Sequence, residues 1–285
     1  MRNNTKLSFA LIESNHSKLN ESGFPNNIVE NIVHYIRWNQ PEVDFIFYIS
    51  IQSVLQNHNP DKIYIHCNCY DLRGKYWNSI RTNEKIVIKY LSIVKRIFGR
   101  KVENIFHKAD IARINILMTY GGIYLDNDVF VANSFNEYLK YEISLGFEAR
   151  KGQPLGNQII VAHKDARFLQ FWLNSYHFYD HTQWYFNAGE FPAKTIVQVN
   201  PNLVHRTDKF WVDCKVITFL YEQNLSEKEW RNSFTAIHLF TSHRYYLARE
   251  DFSSFPTFDQ HNILRYNKTF GSLALSVLIK INKNI

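Results

Sequence analysis

Asp126 and Asp128 flank Asn127; the run Tyr120-Gly121-Gly122-Ile123-Tyr124-Leu125 leads into them and Val129-Phe130-Val131-Ala132 leads out. Two carboxylates one residue apart, between two apolar runs, suit a hard divalent cation at the rim of a sheet. Mg²⁺ and Mn²⁺ prefer oxygen ligands, and Mg²⁺ commonly takes one or two carboxylates and completes its shell with substrate phosphate oxygens. The pattern points to metal-assisted chemistry on a sugar diphosphate. For the tripeptide alone the alternative is a solvated turn, because Asp and Asn hydrogen-bond their own backbone.

The elements around the pair must hold it in place. Residues 107–120 read as one helix of about three turns, with Ala109, Ala112, Ile114, Ile116, Leu117 and Met118 covering much of its circumference, as in a helix buried against a sheet. Asp110 and Arg113 lie three apart and share a face near its start, where the helix dipole favours a carboxylate. Gly121-Gly122 then stops the helix, since glycine accepts the left-handed conformation of a C-terminal cap.

The stretch H-K-A-D-I-A-R-I-N-I-L-M-T-Y-G-G-I-Y-L-D-N-D-V resembles the signature of glycosyltransferases with a DXD-containing sugar-binding region, the family of α-1,4-galactosyltransferases, α-1,4-N-acetylglucosaminyltransferases and an initiating α-1,6-mannosyltransferase. Residues 32–38 and 59–66 resemble the family's first two strands. The resemblance is dense over residues 107–131, covers most of 30–165, and thins beyond. It implies an α/β, GT-A type fold with a single mixed sheet flanked by helices, a nucleotide-sugar donor with UDP favoured over GDP, Mn²⁺ or Mg²⁺, and retention of anomeric configuration. It makes Asp128 the direct metal ligand and gives Asp126 contacts to the ribose and the metal. Asp110 and Arg113 line the donor sugar pocket, shaped by Tyr120, Gly121 and Gly122. The acceptor it implies is a glycan or glycolipid hydroxyl, and the location is the Golgi or secretory lumen, with a soluble cytoplasmic protein as the alternative.

Further candidates follow in the second half. Asn157 stands where family members present an Asn to donor or acceptor, and is otherwise a turn residue. Glu190, beside Gly189, offers a carboxylate to an oxocarbenium-like transition state, and is otherwise a surface Glu. His238, in the apolar run 236–240, resembles the late His that completes a metal or diphosphate shell, and is otherwise a hydrogen-bonded core residue. His243 and Arg244 offer diphosphate contacts.

The apolar share of 45%, with 22 Phe and 17 Tyr, is ample for one large core over residues 30–285, preceded by a poorly ordered extension at 1–29. The net charge of +7 comes from scattered basic residues, which argues against nucleic acid and fits anionic donors or peripheral membrane contact. Cys67, Cys69 and Cys214 make no zinc framework, and either a bridge to Cys214 or free thiols fits their spacing. N-x-S/T sequons start at Asn3, Asn15, Asn20, Asn224 and Asn267. No apolar run approaches the roughly 20 residues of a membrane span.

The order of elements is alternating α/β. It has strands at 32–36, 62–67, 85–89, 143–148 and 159–162, and helices at 42–56, 107–120, 135–141 and 166–176. A loop or short helix falls at 76–81, and 179–213 is irregular. Two rival functions remain. A haloacid-dehalogenase-class phosphatase also uses D-x-D, but its motif puts Thr or Val where Phe130 stands. A non-catalytic sugar- or nucleotide-sugar-binding protein of the same fold would keep all these residues and lack turnover.

Overall fold

The computed structural model describes residues 19–147 and 154–283, which form two compact units. One holds the described residues through His34, with Ser92–Tyr124 and Asn136–Thr207; the other holds Tyr35–Leu91, Leu125–Phe135 and the chain from Asp208 on. The strands are β1 (Ile32–Arg37), β2 (Lys62–Cys67), β3 (Ile86–Tyr90), β4 (Arg96–Ile97), β5 (Arg100–Lys101), β6 (Gly122–Leu125), β7 (Val129–Val131), β8 (Ile143–Phe147), β9 (Leu155–Ala162), β10 (His205–Thr207), β11 (Phe210–Trp211) and β12 (Ala236–His238). The longer helices are α1 (Phe45–Asn57), α2 (Lys75–Ile80), α3 (Ile105–Tyr120), α4 (Arg167–Ser175), α5 (Val216–Tyr221), α6 (Glu227–Ser233) and α7 (Thr269–Lys283). The class is the mixed α/β expected.

In the first unit the strand order is β10-β8-β9-β6-β1, with β8 and β9 antiparallel, β10 parallel to β8 and β6 parallel to β1. Helix α3 starts at Asn104, whose side chain accepts from Phe106 N at 2.9 Å, a cap worth about 1 kcal/mol. It ends at Gly121, with φ of 66°, followed by Gly122 at 105°. A Cβ on Gly122 would lie 2.5 Å from the Ile32 carbonyl, so only glycine lets β6 approach β1 here.

The same unit contains a buried charge cluster that sequence alone did not suggest. Glu142, 0% exposed, accepts from Arg167 Nη2 at 2.7 Å and from Arg167 N at 2.6 Å, and Asn20 Nδ2 points to the same carboxylate. Asn20 is itself buried and also donates to Asn202 O at 3.0 Å, so the sequon at Asn20 cannot carry a glycan in this fold. The sequons at Asn3 and Asn15 and the strand end at Glu148 lie outside the described residues.

In the second unit β1 leads to parallel β2 and β3, and β11-β12-β7 form a separate three-stranded sheet. Beside the large mixed sheet expected, the described residues thus hold this three-stranded sheet and the two-stranded β4–β5, both built from short strands too weakly patterned to read. Helix α1 is capped by Asp44, which accepts from Phe47 N at 2.9 Å, and is buried along most of its length. Its polar residues grip β7: Val131 N donates to Ser53 Oγ at 3.0 Å, and Asn57 Nδ2 donates to Val131 O at 2.8 Å.

Three local expectations change. The helix expected at 135–141 is only a 3₁₀ turn, Asn136–Tyr138, because Phe135 is fully buried and its N–H is taken by His58 Nδ1. Segment 179–213 contains the π-helical turns Phe186–Glu190 and Ala193–Val197. Cys67 is bridged to Cys69, and the exposed Cys214 takes part in no disulfide among the described residues, so the bridge to Cys214 is not seen. Among the described residues no helix is long and apolar enough to cross a membrane.

Candidate functional site

The acidic tripeptide is a tight turn between two fully buried strands. Val129 N donates to Asp126 O at 3.1 Å, and β6 and β7 bury every residue on either side. Asn127 Nδ2 donates to Ile36 O at 2.9 Å, tying the turn to the end of β1. Asp126 is half-buried.

Asp128 is held on two sides. His238 Nε2 donates to its Oδ1 at 2.9 Å, while Thr241 N at 3.0 Å and Thr241 Oγ1 at 2.9 Å donate to its Oδ2. Leu239 N donates to the Asp128 carbonyl at 2.8 Å, so the strand that carries His238 is fixed to the turn through backbone as well. His238 reaches this place because β12 runs antiparallel to β7, with His238 opposite Val129. Burial pushes the Asp128 carboxyl up, but His238 and the Thr241 donors outweigh it and hold the group well below the usual carboxylate range. An ionised carboxylate 18% exposed is thus presented at a turn.

These donors fit a hard cation only in part by themselves. Among the described residues no three His, Cys, Asp or Glu side chains converge to hold a metal. The donor types present, carboxylates with one imidazole, would suit Mg²⁺ or Mn²⁺ if substrate oxygens completed the shell.

In the first unit, Asp110, Arg113 and Asn157 come together in a buried group. Asn157 Nδ2 donates to Asp110 Oδ1 at 2.8 Å, Arg113 Nη2 lies 3.1 Å from the same oxygen, and Arg113 Nη1 donates to Asn157 O at 2.6 Å. The Arg113 guanidinium also lies over the Tyr124 ring at 4.6 Å. Asn157 is not in a turn. It belongs to β9, where the pairing with β8 shifts register between Leu145 and Phe147. Such an irregularity re-aims a side chain, here inward.

Tyr120 is 38% exposed at the end of α3, its ring 5.7 Å from His34. Gly121 accepts from His34 Nε2 at 2.8 Å and, like Gly122, is buried. The two glycines thus serve the junction of α3, β6 and β1. Glu190 ends a π-helical turn half-buried and is not among the side chains lining the cleft at Asp110. Gly189 allows that turn to press on β9, since a Cβ there would come within 2.7 Å of Leu155 O.

Arg244 does not face solvent. It pairs with Asp251 at 2.6 Å, donates to Phe255 O at 2.7 Å and packs over Tyr221 and Phe258, so its guanidinium is engaged within the fold. Half-buried His243 takes a hydrogen bond from or to Ser242 Oγ at 3.0 Å. Sequence reasoning had passed over Thr241, whose part became visible only when β12 brought it to Asp128. It had also passed over His107 and Tyr176, which line the cleft at Asp110.

Residues 47–145 match the family model described as the glycosyltransferase sugar-binding region containing a DXD motif, and this stretch carries the resemblance seen in the sequence. Glucan organizing enzyme 1 of Cryptococcus neoformans var. grubii is 30% identical over 173 residues, covering 55% of this chain. The chain spans 46% of the length of that relative. Among solved structures, PaToxG glycosyltransferase is similar with a TM-score of 0.44 at 14% identity, covering 95% of each chain. The galactosyltransferase LgtC in complex with donor and acceptor sugar analogs is similar with a TM-score of 0.40 at 12% identity, covering 80% of this chain and 98% of that one. Likenesses that loose establish no shared site.

Proposed function

We propose that the chain is a metal-dependent, retaining glycosyltransferase of GT-A type that moves a hexose from a nucleotide sugar, a UDP-sugar over a GDP-sugar, to a hydroxyl of a glycan or glycolipid. The observation that carries this reading is Asp128, a carboxylate kept ionised between His238 and Thr241 at the end of a rigid turn. Asp128 with Asp126 would hold Mn²⁺ or Mg²⁺, and His238 would orient Asp128 or add an imidazole donor. A bound cation would offset the negative charge that develops on the departing diphosphate. Asp110, Arg113 and Asn157 would bind hexose hydroxyls. Arg113 Nη2 lies 3.1 Å from Asp110 Oδ1, and a carboxylate there would favour positive charge developing on the sugar ring, as in glycoside hydrolysis. Glu190 would act only if its half-turn swings toward the sugar.

The test is release of UDP or GDP from UDP-galactose, UDP-glucose, UDP-N-acetylglucosamine and GDP-mannose, with Mn²⁺ and with chelator. Metal-dependent release that Asp128→Ala abolishes, with the circular dichroism spectrum intact, is the expected outcome. Near-normal turnover in that variant would sink the metal assignment, and metal-dependent binding without release would favour a non-catalytic nucleotide-sugar-binding protein.

A further inference from the structure

Tyr176 opens the 3₁₀ turn Tyr176–Phe178 directly after α4 and is 1% exposed. Its hydroxyl is buried and has no hydrogen-bond partner among the described residues. A phenol in that position is costly, because burial strips water from the O–H without returning a bond, and native structures leave few such groups unpaired. The side chain lines the cleft that also contains Asp110 and His107, and the cleft has no space open even to a water molecule.

The cover of this cleft is thin. Gln183 and Trp184 close it, and Trp184 is 53% exposed. The cover is pinned at its ends by short contacts: His107 Nε2 donates to Trp184 O at 3.1 Å, and Gln183 Nε2 donates to Asp180 Oδ2 at 2.8 Å. The other ring nitrogen, Nδ1, lies 2.9 Å from the Tyr179 hydroxyl. The His107–Tyr179 bond is buried and stays with the floor, whereas the Gln183–Asp180 bond is exposed and the His107–Trp184 bond is partly so, and these two can exchange with water as Gln183 and Trp184 lift.

We infer that the Tyr176 hydroxyl is a specificity-determining donor to a hexose hydroxyl oxygen, reached when the Gln183–Trp184 cover lifts and the sugar lies against Asp110. This rests on the nucleotide-sugar reading and adds to Asp110, Arg113 and Asn157 a further residue that would sense the sugar rather than the nucleotide. The phenol O–H donates, the sugar oxygen accepts, and no bond is made or broken. A site built around a buried donor rejects ligands lacking the matching acceptor, because the donor then stays unpaired.

The full chain carrying Tyr176→Phe tests this by calorimetric titration with UDP-galactose, UDP-glucose, UDP-N-acetylglucosamine, GDP-mannose, UDP, GDP and free glucose, beside thermal unfolding. Removing an unpaired buried hydroxyl should raise Tm by about 2–6 °C, since it relieves a cost in the free protein. The nucleotide sugar that wild type binds should weaken about tenfold, while UDP or GDP alone is unchanged. A lower Tm overturns the inference, as the hydroxyl would then have a protein partner. Unchanged sugar-nucleotide affinity, or equal loss for UDP and UDP-sugar, overturns it too and leaves the parent reading standing. Wild type that binds no nucleotide sugar overturns both.

Discussion

Thr241 supplies a sharp test of how the Asp128 carboxylate is held. Thr241→Val keeps the shape of the side chain and removes only the Oγ1 donor to Asp128 Oδ2, leaving the Thr241 N–H and His238 in place. A hydrogen bond to a charged group is worth about 1.5–3 kcal/mol. Asp128 is 18% exposed, and water can partly replace the lost donor, so the low end applies. About 1.5 kcal/mol corresponds to roughly a tenfold change in an equilibrium or a rate. The carboxylate should become less well oriented, and both Mn²⁺ affinity, read by electron paramagnetic resonance of free Mn²⁺ with donor nucleotide present, and kcat/KM for nucleotide release should fall about tenfold. Thr241→Ser keeps the donor and should recover most of both. The reasoning fails if Thr241→Val matches wild type in Mn²⁺ midpoint and kcat/KM, because Asp128 would then not be the ligand that Thr241 positions.

Two further outcomes concern the frame. Glu142→Gln keeps the volume but leaves Arg167 facing a neutral amide in a site with no solvent access to residue 142, so it should cost about 3–5 kcal/mol in urea unfolding with an unchanged m-value. A loss under about 1 kcal/mol would mean that Arg167, whose side chain is 27% exposed, turns out to water instead. Burial holds His58 and His66 down to about 4, below their unfolded value near 6.5. Both are neutral in the fold, so the unfolded chain binds more protons between those values. Stability is therefore full above about pH 6.5 and is lost as pH falls toward 4, by on the order of 3 kcal/mol for each histidine. Unfolding midpoints in urea that stay flat from pH 7 to 4.5 would contradict this.

The chain's local physics was readable where one element explains itself. Strand β2 at Lys62–Cys67 and helix α3 up to Tyr120 follow from periodicity and from the glycine stop, and the Asp126-Asn127-Asp128 turn follows from carboxylates set between apolar runs. Asp110 and Arg113 could be paired in advance because a helix fixes which residues three apart share a face. The tertiary structure decided everything that depends on residues distant in sequence. Asn157 became a partner of Asp110 only through an irregular pairing of β8 and β9, and His238 and Thr241 became the grip on Asp128 only because the short strand β12 lies antiparallel to β7. A three-residue strand carries too little pattern to announce its neighbour, and Thr241 lies 113 residues from the oxygen it serves. The converse held for Arg244, whose charge suggested a ligand contact until Asp251 and the rings of Tyr221 and Phe258 enclosed it. Sequence fixes which chemistry is available in each segment, because that depends on side-chain type and near-neighbour spacing. Which groups meet, and which are left buried without a partner like the Tyr176 hydroxyl, depends on long-range packing that no local window contains.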